Sequence, residues 1–188
     1  ECCRQLIMLS VSLTGVDHIA MDTCRKNGIT VCNCAGYSTA AVADLVFGML
    51  ITLYRNLMLC DQAARNGGTK DGLIGFELEG KKFGIVGTGA IGLRTAAIAN
   101  AFGCEVYAYS RTKKTARGGI VDSGALAAAL NEERIAGACI DVFENEPPLA
   151  EDHPLLTAKH TVVAPHIGFA TKEALVKRAV IVFDNIVK

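Results

Sequence analysis

The 188-residue chain has no surplus of charge, no long apolar run and no pair of cysteines at zinc-binding spacing. Nineteen basic residues balance nineteen acidic ones, and no basic stripe stands out, so nothing predicts a nucleic-acid surface. No apolar run approaches the roughly 18 residues of a membrane span, so we expect no membrane insertion. The eight cysteines include no C-x-x-C pair. We therefore expect reduced thiols, a cytoplasmic location and no metal site, although Cys32 and Cys34 would share a strand face and leave a metal pair open.

A glycine-rich turn is the most informative segment that is present. Directly after a short apolar run, the chain places Gly87, Gly89 and Gly92 in a G-x-G-x-x-G spacing. In dinucleotide-binding proteins the first glycine permits the tight turn, the second lets the backbone approach a pyrophosphate, and the third lets the helix pack on the strand. The helix that follows would point its N-terminal N–H groups at that pyrophosphate. We predict a dinucleotide site, with a plain structural turn as the alternative, at Gly87, Gly89, Ala90, Ile91 and Gly92.

Apolar runs alternate with helical patterns along the chain, which predicts an α/β fold with a doubly wound parallel sheet. In Thr39–Leu57 the apolar residues recur at helical spacing over a face too wide for one shallow contact. We expect this helix to pack on its own sheet and on a second copy of the chain, which would make the protein a homodimer. The polar, glycine-rich segment Asp61–Lys81 is expected to be a loop.

Three motifs follow the glycine-rich turn in order. They are Thr115–Asp122 (TARGGIVD), Asp141–Pro148 (DVFENEPP) and Pro165–Gly168 (PHIG). Together with Thr14–His18 (TGVDH), they resemble the D-isomer-specific 2-hydroxyacid dehydrogenases. The resemblance covers nearly the whole chain. It implies a Rossmann-like nucleotide-binding domain, part of a flavodoxin-like substrate domain, and hydride transfer between a nicotinamide cofactor and a small 2-keto acid or D-2-hydroxy acid.

The resemblance also implies three catalytic residues, whose chemistry suits the reaction. Arg117 would hold the substrate carboxylate and polarise the carbonyl, because its planar fork offers paired donors. His166 would donate the proton during reduction and take it back during oxidation. Glu146 would partner the imidazole, and its negative charge would keep the proton donor loaded near neutral pH.

Further binding residues follow from the same resemblance. The backbone amides of Thr14 and Gly15 would hold the substrate carboxylate, unless these residues form an ordinary turn. Asp141 would bind the nicotinamide carboxamide, with a strand-end cap as its alternative role. Thr115 and Gly168 would also contact the cofactor.

The choice between NAD and NADP depends on the residues after Tyr109. NAD-binding domains usually carry an Asp or Glu at the end of the second strand, where it accepts a hydrogen bond from the ribose 2′-hydroxyl. Here Ser110, Arg111 and Thr112 are followed by two lysines, with no carboxylate. This basic turn favours NADP over NAD as the cofactor, although a solvated turn would tolerate either.

The pattern departs from the family at one internal position. Members carry a long segment between the second strand and the arginine motif, but only residues 112–114 separate Arg111 from Thr115 here. We expect a segment to be missing near 114–115. The expected division is a partial substrate domain over 1–36, a dinucleotide-binding domain over 37–166 and an interdomain helix over 167–188. The missing segment leaves a second function open, a non-catalytic dinucleotide-sensing or scaffold protein of the same fold.

Overall fold

The computed structural model describes residues 5–109, 121–143 and 148–187. The chain forms two compact units, the first made of Glu1–Ala41 with Phe169–Lys188 and the second of Val42–Gly168. The domain boundaries predicted from the sequence lie a few residues earlier, after residues 36 and 166. The assignment of these units to substrate and dinucleotide binding stays a prediction.

The first unit is built on one pair of parallel strands, β1 (Met8–Ser10) and β2 (Thr30–Cys32), with helix α1 (Met21–Lys26) between them in sequence. Its last element is helix α7 (Lys172–Val187), which begins after Thr171, whose hydroxyl accepts a hydrogen bond from the Ala174 amide. Buried Cys34, Tyr37, Ala41 and Ala174 form its core.

The second unit holds the remaining elements, in the order expected of alternating strands and helices. They are α2 (Thr39–Tyr54, which starts in the first unit), α3 (Leu57–Arg65), β3 (Lys82–Val86), α4 (Ala90–Ala101), β4 (Glu105–Tyr109), α5 (Ser123–Asn131), β5 (Ala138–Ile140), α6 (Pro154–Thr157) and β6 (Thr161–Val163). Two cores support these elements. One packs α2 and α4 on β3 and β4 around Phe47 and Ala99, and the other packs α5 and α6 on β5 around Leu130 and Leu155.

The long apolar helix ends earlier than the periodicity predicts, and a second helix replaces part of the expected loop. Asn56 adopts a left-handed backbone conformation (φ 51°), which stops α2 at Tyr54, and α3 then continues to Arg65. The expectation of a loop from Asp61 is therefore wrong for Asp61–Arg65. Among the described residues no single helix is long and apolar enough to span a membrane; only α2 and α3 together, with a 57° bend, have the length and composition.

The described strands pair as three parallel pairs: β1 with β2, β3 with β4, and β5 with β6. Parallel pairing agrees with the predicted doubly wound class, because parallel neighbours require helical crossovers. In the second unit, however, no described strand joins β3–β4 to β5–β6, so the continuous sheet that we expect is interrupted there.

Candidate active site

The glycine-rich turn between β3 and α4 has the geometry that its spacing predicts. Gly87 has a φ of 106°, a value that residues other than glycine rarely adopt. Its N–H donates to the Tyr109 carbonyl at 2.8 Å. At Gly92 a Cβ would collide with the Gly87 carbonyl oxygen and would lie 3.4 Å from Ile85 Cγ2. The first glycine is thus required by conformation and the third by the close approach of α4 to β3.

The N-terminus of α4 suits an anionic group. Gly89 is the N-cap of this twelve-residue helix, and a Cβ added to it would meet nothing within 4 Å. The N–H groups of Ala90, Ile91 and Gly92 lie in the first turn, where helical N–H groups have no carbonyl partner within the helix. Open space, amide donors with no partner within the helix and the positive end of the helix dipole fit the pyrophosphate of a dinucleotide.

Several predicted site residues lie outside the residues that the structure describes. They are Ser110, Arg111, Thr112, Thr115, Arg117 and Glu146. The structure does place Tyr109 at the carboxyl end of β4, beside the Gly87 turn. Tyr109 therefore lies at the edge where open α/β sheets bind ligands.

His166 lies in a loop that Asp141 holds. One carboxylate oxygen of Asp141 accepts from the Ile167 N–H at 2.7 Å, and the other accepts from the Gly168 N–H at 2.8 Å. His166 is exposed and has a φ of 55°, a left-handed conformation that needs support from its surroundings. The end of β5 thus fixes the loop after β6. A Cβ on Gly168 would lie 2.9 Å from Asp141 Oδ2, so the close contact also explains this glycine.

The predicted carboxylate-binding turn of Thr14 and Gly15 follows β1 in the first unit. The Asn33 side-chain amide donates to the Thr14 carbonyl at 2.8 Å, and the Cys34 N–H donates to the Leu13 carbonyl at 3.1 Å. The side chain of Asn185 on α7 donates to the Asn33 carbonyl at 3.3 Å. The turn is therefore fixed from β2 and α7, while its predicted contact with substrate stays a prediction.

Two supporting contacts, made by Asn33 and Asp141, are not predicted by the sequence. Asn33 directly follows β2, and its partner Thr14 lies 19 residues away in sequence. Asp141, for which the sequence predicts contact with the nicotinamide carboxamide or a strand-end cap, accepts from the backbone N–H groups of Ile167 and Gly168, 26 and 27 residues away. No local sequence pattern predicts either contact, because each depends on two strands, distant in sequence, that end next to each other.

A strand, a glycine-rich turn and a helix whose first amide groups have no partner within the helix are the features of a dinucleotide-binding α/β protein. Comparison with known proteins identifies its family. The family model described as "D-isomer specific 2-hydroxyacid dehydrogenase, NAD binding domain" matches residues 47–116 and 114–168. The chain belongs to this family, as its motifs predict. It is an oxidoreductase that transfers a hydride between a nicotinamide cofactor and a 2-keto or 2-hydroxy acid.

Individual relatives agree with this assignment and with the fold class. Glyoxylate reductase of Thermococcus litoralis is 32% identical over 97% of this chain and 73% of its own length. Glyoxylate/hydroxypyruvate reductase A of Arabidopsis thaliana is 30% identical over 96% of this chain and 74% of its own length. An acyclic imino acid reductase (Bsp5), 24% identical, has the same fold, with a TM-score of 0.86 over 96% of this chain and 75% of its own.

The comparisons also locate a difference in length. The match to the Thermococcus protein spans 245 residues, whereas 97% of this 188-residue chain is about 182, which leaves about 60 positions of the relative without a counterpart. The family model matches in two pieces that meet at residues 114–116. The position where the two pieces meet coincides with the junction of Lys114 and Thr115 in the sequence.

Proposed function

We propose that this protein reduces two- and three-carbon 2-keto acids, of which glyoxylate and hydroxypyruvate are the examples, using His166 as proton donor. The observation that carries the proposal is the pair of backbone hydrogen bonds that Asp141 accepts, which fixes the loop after His166 at the carboxyl ends of β5 and β6. Catalysis needs such fixed positions, because a misplacement of about 1 Å can cost a hundredfold in rate. The names of two relatives support the substrate class.

Each predicted residue has one task in this proposal. The nicotinamide cofactor, held at the Gly87–Gly92 turn, supplies the hydride when bound. Arg117 holds the carboxylate and draws electron density from the carbonyl, while the amides of Thr14 and Gly15 bind the far carboxylate oxygen. His166 gives its proton to the carbonyl oxygen, and Glu146 stabilises the imidazolium before that transfer.

Steady-state turnover of glyoxylate and hydroxypyruvate tests this proposal. We expect Arg117→Lys to lower kcat/KM about 100-fold, since lysine cannot make the paired contact. Arg65→Lys is the matched control, because Arg65 is exposed on α3 and pairs with Asp61 on the same helix, so activity should not change. We expect His166→Gln to lower kcat about 100- to 10,000-fold while cofactor binding is retained. Normal turnover by His166→Gln would overturn the assignment.

We further propose a preference for NADPH over NADH. Support comes from the basic residues that follow β4, since no carboxylate stands where a ribose 2′-hydroxyl would need an acceptor. The ratio of kcat/KM for the two cofactors should favour NADPH, and Arg111→Ala should reduce that ratio at least several-fold. Arg25→Ala, an exposed arginine on α1, is the control and should leave it unchanged. A higher kcat/KM with NADH in the unchanged protein would refute the preference.

We also propose a homodimer in the cytoplasm. Apolar side chains are exposed just after α2 in the chain. Leu57, Met58 and Leu59, at the start of α3, are about half exposed or more. All six cysteines among the described residues are free, as is usual in a reducing compartment. Light scattering should report a dimer that Met58→Glu dissociates, whereas Val180→Glu, at an exposed apolar position on α7, should not. A monomer at micromolar concentration would refute the dimer.

A further inference from the structure

Arg178 on α7 places its guanidinium over two aromatic rings of the first unit. Its Cζ lies 5.8 Å from the centroid of the Tyr37 ring and 5.9 Å from that of the Phe169 ring. Both distances fall within the roughly 6 Å over which a cation is attracted to the face of an aromatic ring. Within the described part of the chain Arg178 takes part in no ion pair, so the interaction of its charge with the two rings is not shared with a carboxylate.

The two rings belong to the two segments through which the chain passes between its compact units. The chain leaves the first unit after Ala41 and returns to it at Phe169. Tyr37 comes four residues before the first of these points, in the segment that leads into α2. Phe169 is the first residue after the second point. One side chain on α7 therefore contacts both connecting segments, which are far apart in sequence.

The contact with Arg178 lies at the core of the first unit. Tyr37 is buried together with Cys34 and Ala174, and Phe169 packs against this cluster. Burial raises the pKa of the Cys34 thiol, and the charge of Arg178 partly opposes this rise, so the charge acts within the cluster. Arg178 itself is half-buried. Cation–ring attraction is stronger in such a partly desolvated place than at an exposed surface.

Phe169 directly follows the loop that carries His166. Asp141 fixes the two residues between His166 and Phe169 through their backbone N–H groups, at 2.7 and 2.8 Å. On the other side, the Thr171 N–H donates to the Phe169 carbonyl at 3.0 Å, and α7 begins at the next residue. The loop therefore has one anchor at Asp141 and a second at the Phe169 ring. The left-handed backbone of His166, with a φ of 55°, depends on such support.

We propose that Arg178 is a positioning residue for the reaction, because its guanidinium holds the Phe169 ring and so fixes the His166 loop from its C-terminal side. This rests on the proposed function of His166 as proton donor. The planar guanidinium can stack on aromatic faces, which an ammonium group does less well and an apolar side chain cannot replace. Tyr37 is the second ring of the contact and ties Phe169 to the segment before α2.

Steady-state kinetics of three variants on α7 test the proposal. Arg178→Met keeps an unbranched side chain without charge, and we expect its kcat to fall about 10- to 100-fold, since a displacement near 1 Å can cost about 100-fold. The KM for the cofactor should change little. Arg178→Lys keeps the cation and should retain more of the kcat than Arg178→Met. Lys177→Met removes the same charge from the exposed neighbouring position and is the matched control, with no change expected.

A double-mutant cycle with Phe169 separates positioning from general packing. Phe169→Leu should lower kcat about as much as Arg178→Met, and combining the two should lower it little further, because both remove the same anchor. If the two losses multiplied, Arg178 would not act through Phe169 and the proposal would be overturned. A raised KM for the keto acid with an unchanged kcat in Arg178→Met would also overturn it, since Arg178 would then contact the substrate.

Amide hydrogen exchange of Gly168 is the second measurement, and it requires no turnover. This amide is buried and bonded to Asp141, so it reports on opening of the loop. We expect it to exchange at least about tenfold faster in Arg178→Met, but not in Lys177→Met. Unchanged exchange together with an unchanged kcat in Arg178→Met would refute the role of Arg178. Faster exchange in that variant beside normal turnover by His166→Gln would instead show that the loop is anchored as proposed and that the proton donor is misassigned.

Discussion

Replacing Asp141 with alanine removes the acceptor of two backbone hydrogen bonds, from Ile167 at 2.7 Å and Gly168 at 2.8 Å. A hydrogen bond to a charged group contributes about 1.5–3 kcal/mol to the free energy of unfolding. Here, however, Asp141 is only half-buried and Ile167 is exposed. We therefore expect a loss of about 3 kcal/mol in the free energy of unfolding for the pair, at the low end of the sum. Because the loop after His166 is released, kcat should also fall, by about 100-fold for a displacement near 1 Å.

The assay combines urea unfolding with steady-state kinetics, and a second capping aspartate gives the matched control. Asp122 caps α5 by accepting from the Ala125 N–H at 2.8 Å, so Asp122→Ala should cost about 1 kcal/mol of stability and leave kcat unchanged. Asp141→Asn, which keeps one acceptor oxygen, should fall between wild type and Asp141→Ala. If Asp141→Ala raised KM for the cofactor while stability and kcat stayed within error, the carboxylate would act on the cofactor and our reasoning about the loop would be refuted.

Two further predictions concern packing and titration. Gly92→Ala should lower stability by about 3 kcal/mol and weaken dinucleotide binding at least tenfold, because its Cβ would collide with the Gly87 carbonyl oxygen. Gly48→Ala, at an exposed position of α2 with open space around it, should instead stabilise by about 0.5–1 kcal/mol, and equal effects of the two changes would contradict the packing argument. Burial raises the pKa of the Cys34 thiol, partly offset by the charge of Arg178, so the folded state keeps a proton that the unfolded chain loses above about pH 8.5. Stability should therefore fall as pH rises above that value, and urea unfolding of Cys34→Ala at pH 7 and pH 10 should show a smaller fall than wild type, whereas equal falls would contradict the assignment.

The sequence predicted the nucleotide turn well because its constraints are local. Gly87 and Gly92 are required by a positive φ and by a close helix–strand approach, and both features follow from five or six consecutive residues. The alternation of strands and helices likewise predicted the fold class, and the related structures confirm it.

The break between α2 and α3 cannot be predicted from local sequence patterns. Apolar residues continue at helical spacing through Leu57, so periodicity alone extends the helix. The interruption at Asn56 is fixed by tertiary contacts: its side chain donates to the Leu73 carbonyl at 3.2 Å, and the Phe76 N–H donates to the Tyr54 carbonyl at 2.8 Å. A loop about 20 residues away thus determines where α2 ends, and the local apolar pattern does not predict these contacts.

The two predicted chemical parts of the second unit are each supported by a separate core. The nucleotide turn stands on β3, β4 and α4, which pack around Phe47 and Ala99, whereas Asp141 and the His166 loop stand on β5 and β6, which pack with α5 around Leu130. Either part can keep its local geometry without the other. Their spacing, however, decides whether hydride and proton reach the same carbonyl, since reacting atoms must come within about 3–3.5 Å. A change in that spacing should therefore reduce turnover far more than it weakens binding of the dinucleotide at Gly87–Gly92.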